Sequence, residues 1–108
     1  MLLIGSHAAA YAHAHLTVSQ PAADTVVARP AEVSLQFTEA LEKSFSTVEV
    51  QDSTGKRVDD GTLRPGADAV HLVLGLHPLQ PGVYKVIWHA TSVDTHRTEG
   101  SFSFTVAP

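Results

Sequence analysis

Apolar and polar residues alternate in several short stretches of the chain, and this alternation predicts β-strands. Val33, Leu35 and Phe37 alternate with polar residues, and a period of two places all three side chains on one face of a half-buried strand. Turn-forming residues at 52–55 and 81–82 separate later stretches of the same kind. The apolar sets of those later stretches are Val48 and Val50; Val70, Leu72 and Leu74; Tyr84, Val86, Trp88 and Ala90; and Phe102, Phe104 and Val106.

The number and spacing of these strands predict an all-β fold. The chain has 108 residues, which is the length of one domain. Several strands with turn signals about every 8 to 12 residues are typical of an antiparallel sandwich. We therefore predict an immunoglobulin-like Greek-key β-sandwich of about seven strands, with Trp88 in a central core position. Only residues 40–46 could hold a helical turn, and their apolar spacing is too short to demand one.

Composition excludes several classes of function and leaves metal binding through histidine. Seven Lys and Arg stand against eleven Asp and Glu, and no basic run is present, which argues against nucleic acid as a partner. The chain has no cysteine, so a thiolate site is excluded, and no apolar stretch could span a membrane in the mature chain. Seven histidines remain. His71 and His89 alternate with core residues and should face solvent, while His77 precedes a proline in a turn.

The first residues of the chain predict export. Leu2, Leu3 and Ile4 open an apolar segment, and residues 10–12 have the small-x-small form of a signal-peptidase site. We expect a signal peptide over 1–12 and a mature domain over 13–108. The segment carries no Lys or Arg and is shorter than ordinary signal peptides, which favours a start codon further upstream or a clipped sequence.

Cleavage after residue 12 would turn His13 into a chelator. Its α-amine, with a pKa of about 7.7 to 8.0, and its imidazole can then bind one metal ion together, because a metal displaces the amine proton at neutral pH. Asp94 and His96 make half of a metal site if the segment is extended, since residues two apart in extended backbone point to the same side. The alternative is a solvated loop in which Asp94 accepts a hydrogen bond from a neighbouring backbone N–H.

Two long segments, HAHLTVSQPAADTVVARPAEVSLQFTEAL and PGVYKVIWHATSVDTHRTEGSFSFTV, resemble the CopC family of periplasmic copper-resistance proteins. The resemblance spans residues 13–106. It implies one Cu(II) ion per chain, held by the amine and imidazole of His13 together with Asp94 and His96, and it places Glu39 near the metal as an acceptor for the amine. Some family members carry a methionine-rich loop for Cu(I), but the only methionine here is Met1, so we expect a Cu(II)-only protein.

The family resemblance also implies a role. The expected function is a periplasmic carrier or buffer in copper homeostasis and resistance, without catalysis. The expected partners are the copper ion and an inner-membrane copper importer or other periplasmic copper proteins.

Three alternatives stay open at this point. A free amine with histidine in third place can wrap Cu(II) with two backbone amides and the imidazole of His15, and this arrangement needs neither Asp94 nor His96. An amine with two imidazoles is also the copper centre of polysaccharide monooxygenases, although Asp94 would occupy a position that oxygen needs. Retention of residues 1–12 would remove the terminal amine and favour a metal-free β-sandwich interaction module.

Overall fold

The structure is a computed structural model that describes residues 14–108. The predicted signal peptide over 1–12 and His13 lie outside the described residues. The strands are β1 (Leu16–Gln20), β2 (Val26–Val27), β3 (Glu32–Phe37), β4 (Thr47–Gln51), β5 (Asp59–Pro65), β6 (His71–Leu76), β7 (Gly82–Thr91) and β8 (Arg97–Val106). A three-residue 3-10 turn, Lys43–Phe45, precedes β4, so residues 40–46 hold only the short turn that their spacing allowed.

The strands form two four-stranded sheets packed face to face. One sheet has the order β1-β3-β6-β5, and the other has the order β2-β8-β7-β4. These are the strand neighbours of the two immunoglobulin sheets, with β2 as an added edge strand. The predicted immunoglobulin-like β-sandwich is confirmed, and it has eight strands in the described residues instead of about seven. No apolar alternation predicted β2 or β5: β2 is two residues long and parallel to β8, and most residues of β5 are exposed.

The predicted apolar faces meet between the sheets. Val33, Leu35 and Phe37 are at most 2% exposed. The buried residues of β6 lie beside them in the same sheet, and the buried residues of β4, β7 and β8 face them from the other sheet. Val70 and Phe102 are only half-buried. The ring of Trp88 packs edge to face against Phe37 with centroids 5.2 Å apart, a favourable aromatic geometry. The core therefore extends to the ends of β3 and β7.

One core tyrosine also fixes a corner of the sandwich. The Tyr84 hydroxyl donates a hydrogen bond to the carbonyl oxygen of Gln80 at 2.6 Å, four residues upstream, and the ring stacks on Phe104. A tyrosine near the start of this strand that bonds back to the chain is the tyrosine corner of immunoglobulin-like sandwiches. The alternation placed the Tyr84 ring in the core but gave no partner for its hydroxyl.

A buried carboxylate ties the β4–β5 connection together. The Asp59 side chain is 1% exposed and accepts hydrogen bonds from the Val50 N–H, the Gly61 N–H and the Arg57 guanidinium. Burial alone would raise the pKa of Asp59, but the Arg57 bonds and the backbone bond from Val50 outweigh it, so that the pKa lies below its usual range.

Asp59→Asn is expected to lower the free energy of unfolding at pH 7 by about 1 to 3 kcal/mol, because the N–H groups of Val50 and Gly61 lose a charged hydrogen-bond acceptor. The pKa of Asp59 is lower in the folded protein than its value of about 4 in the unfolded chain, so the ionised carboxylate stabilises the fold at pH values above about 4. This stabilisation is lost as the pH falls through the pKa of the folded protein. The difference between variant and wild type should therefore shrink in acid. Urea unfolding at pH 7 and pH 3 measures it, with the exposed Asp24→Asn as control. An equal difference at both pH values would contradict this account.

Candidate metal centre

The loop between β7 and β8, residues 92–96, is a tight turn. The Ser92 N–H donates to the His96 carbonyl oxygen at 2.9 Å, the Thr95 N–H donates to the Ser92 carbonyl oxygen at 2.8 Å, and Thr95 has a φ of 73°. The prediction of extended backbone for this segment is wrong. The segment forms a turn because it must reverse the chain between two paired strands. The turn nevertheless brings the carboxylate and the imidazole together.

Asp94 and His96 form the charged pair of this hairpin loop. Asp94 Oδ2 lies 3.2 Å from His96 Nδ1, and both side chains are about half exposed, at 50% and 51%. Asp94 Oδ1 accepts hydrogen bonds from the Ser92 hydroxyl and the His96 N–H. The Ser92 hydroxyl, and after it the His96 ring, lower the pKa of Asp94 to about 2. Asp94 is therefore a carboxylate throughout the neutral and mildly acidic range.

The tautomer of His96 decides which nitrogen can bind a metal. When Nδ1 carries the ring proton and donates it to Asp94, the lone pair lies on Nε2. A metal ion bound by both side chains would instead replace the ring proton between Nδ1 and Oδ2, which are 3.2 Å apart, with the remaining ring proton on Nε2. The hydrogen bond of the metal-free loop thus keeps the carboxylate and the imidazole side by side.

The residues that follow His13 are anchored on both sheets. Ala14 is fully buried, and its carbonyl oxygen accepts a hydrogen bond from the Thr98 hydroxyl at 2.6 Å. The His15 N–H donates to the Thr38 hydroxyl at 2.9 Å, and the Thr38 N–H donates to the His15 carbonyl oxygen at 2.9 Å. Thr98 lies two residues beyond His96 on β8. The chain therefore passes the hairpin loop immediately after residue 13.

The segment that carries Glu39 also runs along the hairpin loop. The Val93 N–H donates to the Ala40 carbonyl oxygen at 3.0 Å, and Leu41 forms a bridge with Ser92. Glu39, which directly precedes Ala40, is half-buried. The end of β3, the start of β1 and the β7–β8 loop consequently meet at one end of the sandwich.

Two of the other described histidines, His71 and His89, pair with carboxylates. His71 Nδ1 lies 2.6 Å from Asp68 Oδ1, and His71 is half-buried, whereas we expected it to face solvent. His89 is exposed and pairs with Glu99 at 3.3 Å. His77 is exposed. Among residues 14–108, no group of three His, Asp or Glu side chains could hold a metal ion. A site with three or more donors at the hairpin loop needs donors that these residues do not supply there.

Sequence reasoning missed the three hydroxyl groups that shape this end of the molecule, those of Ser92, Thr98 and Thr38. Ser92 lies in the SVDTH stretch that contains Asp94 and His96, so its spacing to Asp94 was the available signal. The threonines gave no signal, because their partners are backbone groups that only the fold brings near.

Within the described residues, no helix is long and apolar enough to cross a membrane.

Comparisons with known proteins give a consistent set of matches. The family model described as the CopC domain matches residues 16–107. Protein YobA of Escherichia coli K12 is 37% identical over 99 residues, which cover 89% of this chain and 80% of YobA. The crystal structure of CopC from Methylosinus trichosporium OB3b has a TM-score of 0.83 at 37% identity and covers 89% of this chain and 95% of its own. That of PcoC, a methionine-rich copper resistance protein from Escherichia coli, has a TM-score of 0.81 at 36% identity, with coverages of 88% and 99%.

Proposed function

Since this chain belongs to the CopC family, we propose that it is a periplasmic protein that binds one Cu(II) ion as cargo and serves copper resistance as a carrier or buffer. The observation that carries the proposal is the Asp94–His96 pair, with Nδ1 and Oδ2 3.2 Å apart, beside the buried Ala14 that follows His13. We propose this role as that of a carrier and not of an enzyme.

The proposed site combines donors from two distant parts of the sequence. After removal of residues 1–12, His13 would supply its α-amine and its imidazole, while Asp94 and His96 would supply the oxygen and the third nitrogen. Three nitrogens and a carboxylate oxygen favour Cu(II), which also leads the divalent affinity order. Glu39 would accept a hydrogen bond from the amine. The support for this assembly is the anchoring of residues 14 and 15 next to the hairpin loop.

The proposed cargo is limited to Cu(II). Cu(I) prefers soft thioether or thiolate ligands, and residues 13–108 contain neither methionine nor cysteine. PcoC, by contrast, is described as methionine-rich. The proposed partners are an inner-membrane copper importer or other periplasmic copper proteins, to which the loaded carrier would pass Cu(II).

His96→Ala is expected to lower the Cu(II) affinity by more than about 100-fold, since even residues that merely support a metal ligand cost about 10- to 100-fold. His15→Ala should leave the affinity nearly unchanged, because the folded site does not use its imidazole. Competition with a chromogenic chelator measures both variants on protein that begins at His13.

His89→Ala is the matched control. Like His96, His89 pairs with a carboxylate, here that of Glu99, but it lies within strand β7 and not in the loop at 92–96. A loss of affinity in His15→Ala, with none in His96→Ala, would show that the amino-terminal arrangement holds the copper and that the proposed site is wrong.

A further inference from the structure

Residues 13–15 offer Cu(II) two arrangements that exclude each other. In the proposed site, the His13 amine and imidazole would bind copper together with Asp94 and His96 of the hairpin loop. In the competing arrangement, the same amine joins the backbone nitrogens of Ala14 and His15 and the imidazole of His15. Both arrangements begin with one amine, so each copper ion can use only one of them. Contacts elsewhere in the protein therefore determine which arrangement the copper ion adopts.

The described contacts oppose the competing arrangement at the His15 nitrogen and at the buried Ala14. A copper ion on the His15 nitrogen would displace its proton, and that N–H is the one that donates to the Thr38 hydroxyl at 2.9 Å. Wrapping the three residues around an ion would also pull Ala14 out of the core, where it is fully buried, and away from the Thr98 hydroxyl, 2.6 Å from its carbonyl oxygen.

The two threonines come from different sheets. Thr38 follows β3 of the first sheet, and Thr98 belongs to β8 of the second sheet. Ala14 and His15 are therefore held across the sandwich as a continuation of β1, which pairs with β3 from Leu16 onward. If a hydrogen bond must break before copper can bind in the competing arrangement, the free energy of that bond lowers the copper affinity of that arrangement.

We infer that Thr38 and Thr98 are positioning residues that select the binding mode, because they hold residues 14 and 15 in the fold and so reserve the terminal amine for the hairpin site. This inference rests on the proposed function. The threonines are not ligands in the proposed copper site. They act through the backbone of the residues that follow His13.

Thr98→Val tests the inference, since valine keeps the branched shape and removes the hydroxyl. In protein that begins at His13, the Cu(II) affinity of the hairpin site should fall about three- to tenfold, the worth of one hydrogen bond. The electron paramagnetic resonance spectrum should gain a second component typical of four nitrogen donors. Adding His15→Ala to Thr98→Val should remove that component. Thr38→Val should behave like Thr98→Val.

Thr25→Val is the matched control, because the Thr25 hydroxyl donates to the Ala22 carbonyl oxygen at a similar 2.7 Å in a separate turn. It should leave affinity and spectrum unchanged, and circular dichroism checks that each variant folds. A single unchanged spectrum in both Thr98→Val and Thr38→Val would overturn the inference. If the wild-type spectrum itself does not depend on His96, the proposed function fails instead, so the two failures are distinguishable.

Discussion

Protein with one extra glycine before His13 is expected to bind Cu(II) more than about 1,000-fold more weakly than protein that begins at His13. The extra residue converts the α-amine into an amide, which is no longer a donor at neutral pH, and it separates the imidazole from the new amine. Two donors are disturbed at once, and each loss should cost at least the 10- to 100-fold typical of weakened metal sites. Competition titrations at one pH compare the two proteins.

A glycine added after Pro108 serves as the control for this experiment, because it changes the length without touching the terminal amine. Mass spectrometry of the purified proteins, and of protein recovered from the periplasm, establishes which residue is first. Equal affinity and an identical copper spectrum in the extended protein would show that the amine takes no part, and the proposed site would have to be abandoned.

The strands were predictable because their signal is local. Each of β3, β4 and β7 buries one face, so the period of two that defines a half-buried strand is written in the sequence. Val26–Val27, the strand β2, escaped prediction because two residues cannot show a period, and only its parallel pairing with β8 makes it a strand. The fold class followed from elements long enough to carry a pattern.

The pairing of Asp94 with His96 was predictable from the sequence, but the backbone conformation that brings them together was not. The spacing of Asp94 and His96 indicated that the two side chains meet, and they do. They meet in a turn with Thr95 at positive φ, a conformation uncommon for residues other than glycine, so no propensity would have suggested it. The Thr98 hydroxyl bonds to Ala14, 84 residues away, and such a pair is fixed by the packing of two sheets, which the local sequence does not contain.

Phe104→Ala is expected to lower the free energy of unfolding by about 3 to 5 kcal/mol, the usual cost of removing a buried phenylalanine ring. Phe104 is 0% exposed and stacks on Tyr84 at a centroid distance of 5.7 Å, so the variant loses a ring contact and leaves a cavity at the tyrosine corner. A loss of this size is a large share of the about 5 to 15 kcal/mol that stabilises an ordinary domain. Urea unfolding without copper measures it, and Val83→Ala, at an exposed position of β7, is the control and should change stability by less than about 0.5 kcal/mol.

The same variant separates folding from copper binding. Phe104 pairs with Tyr84, toward the end of the β7–β8 hairpin that is opposite the loop at 92–96, so its loss should leave the metal donors in place. A ligand that binds only the folded protein stabilises it by an amount set by its concentration and affinity. Added Cu(II) should therefore raise the unfolding free energy of Phe104→Ala and of wild type by the same increment. A smaller increment in the variant would mean that the copper site depends on packing at the far end of the sandwich and not only on the hairpin loop and the local anchors Thr38 and Thr98.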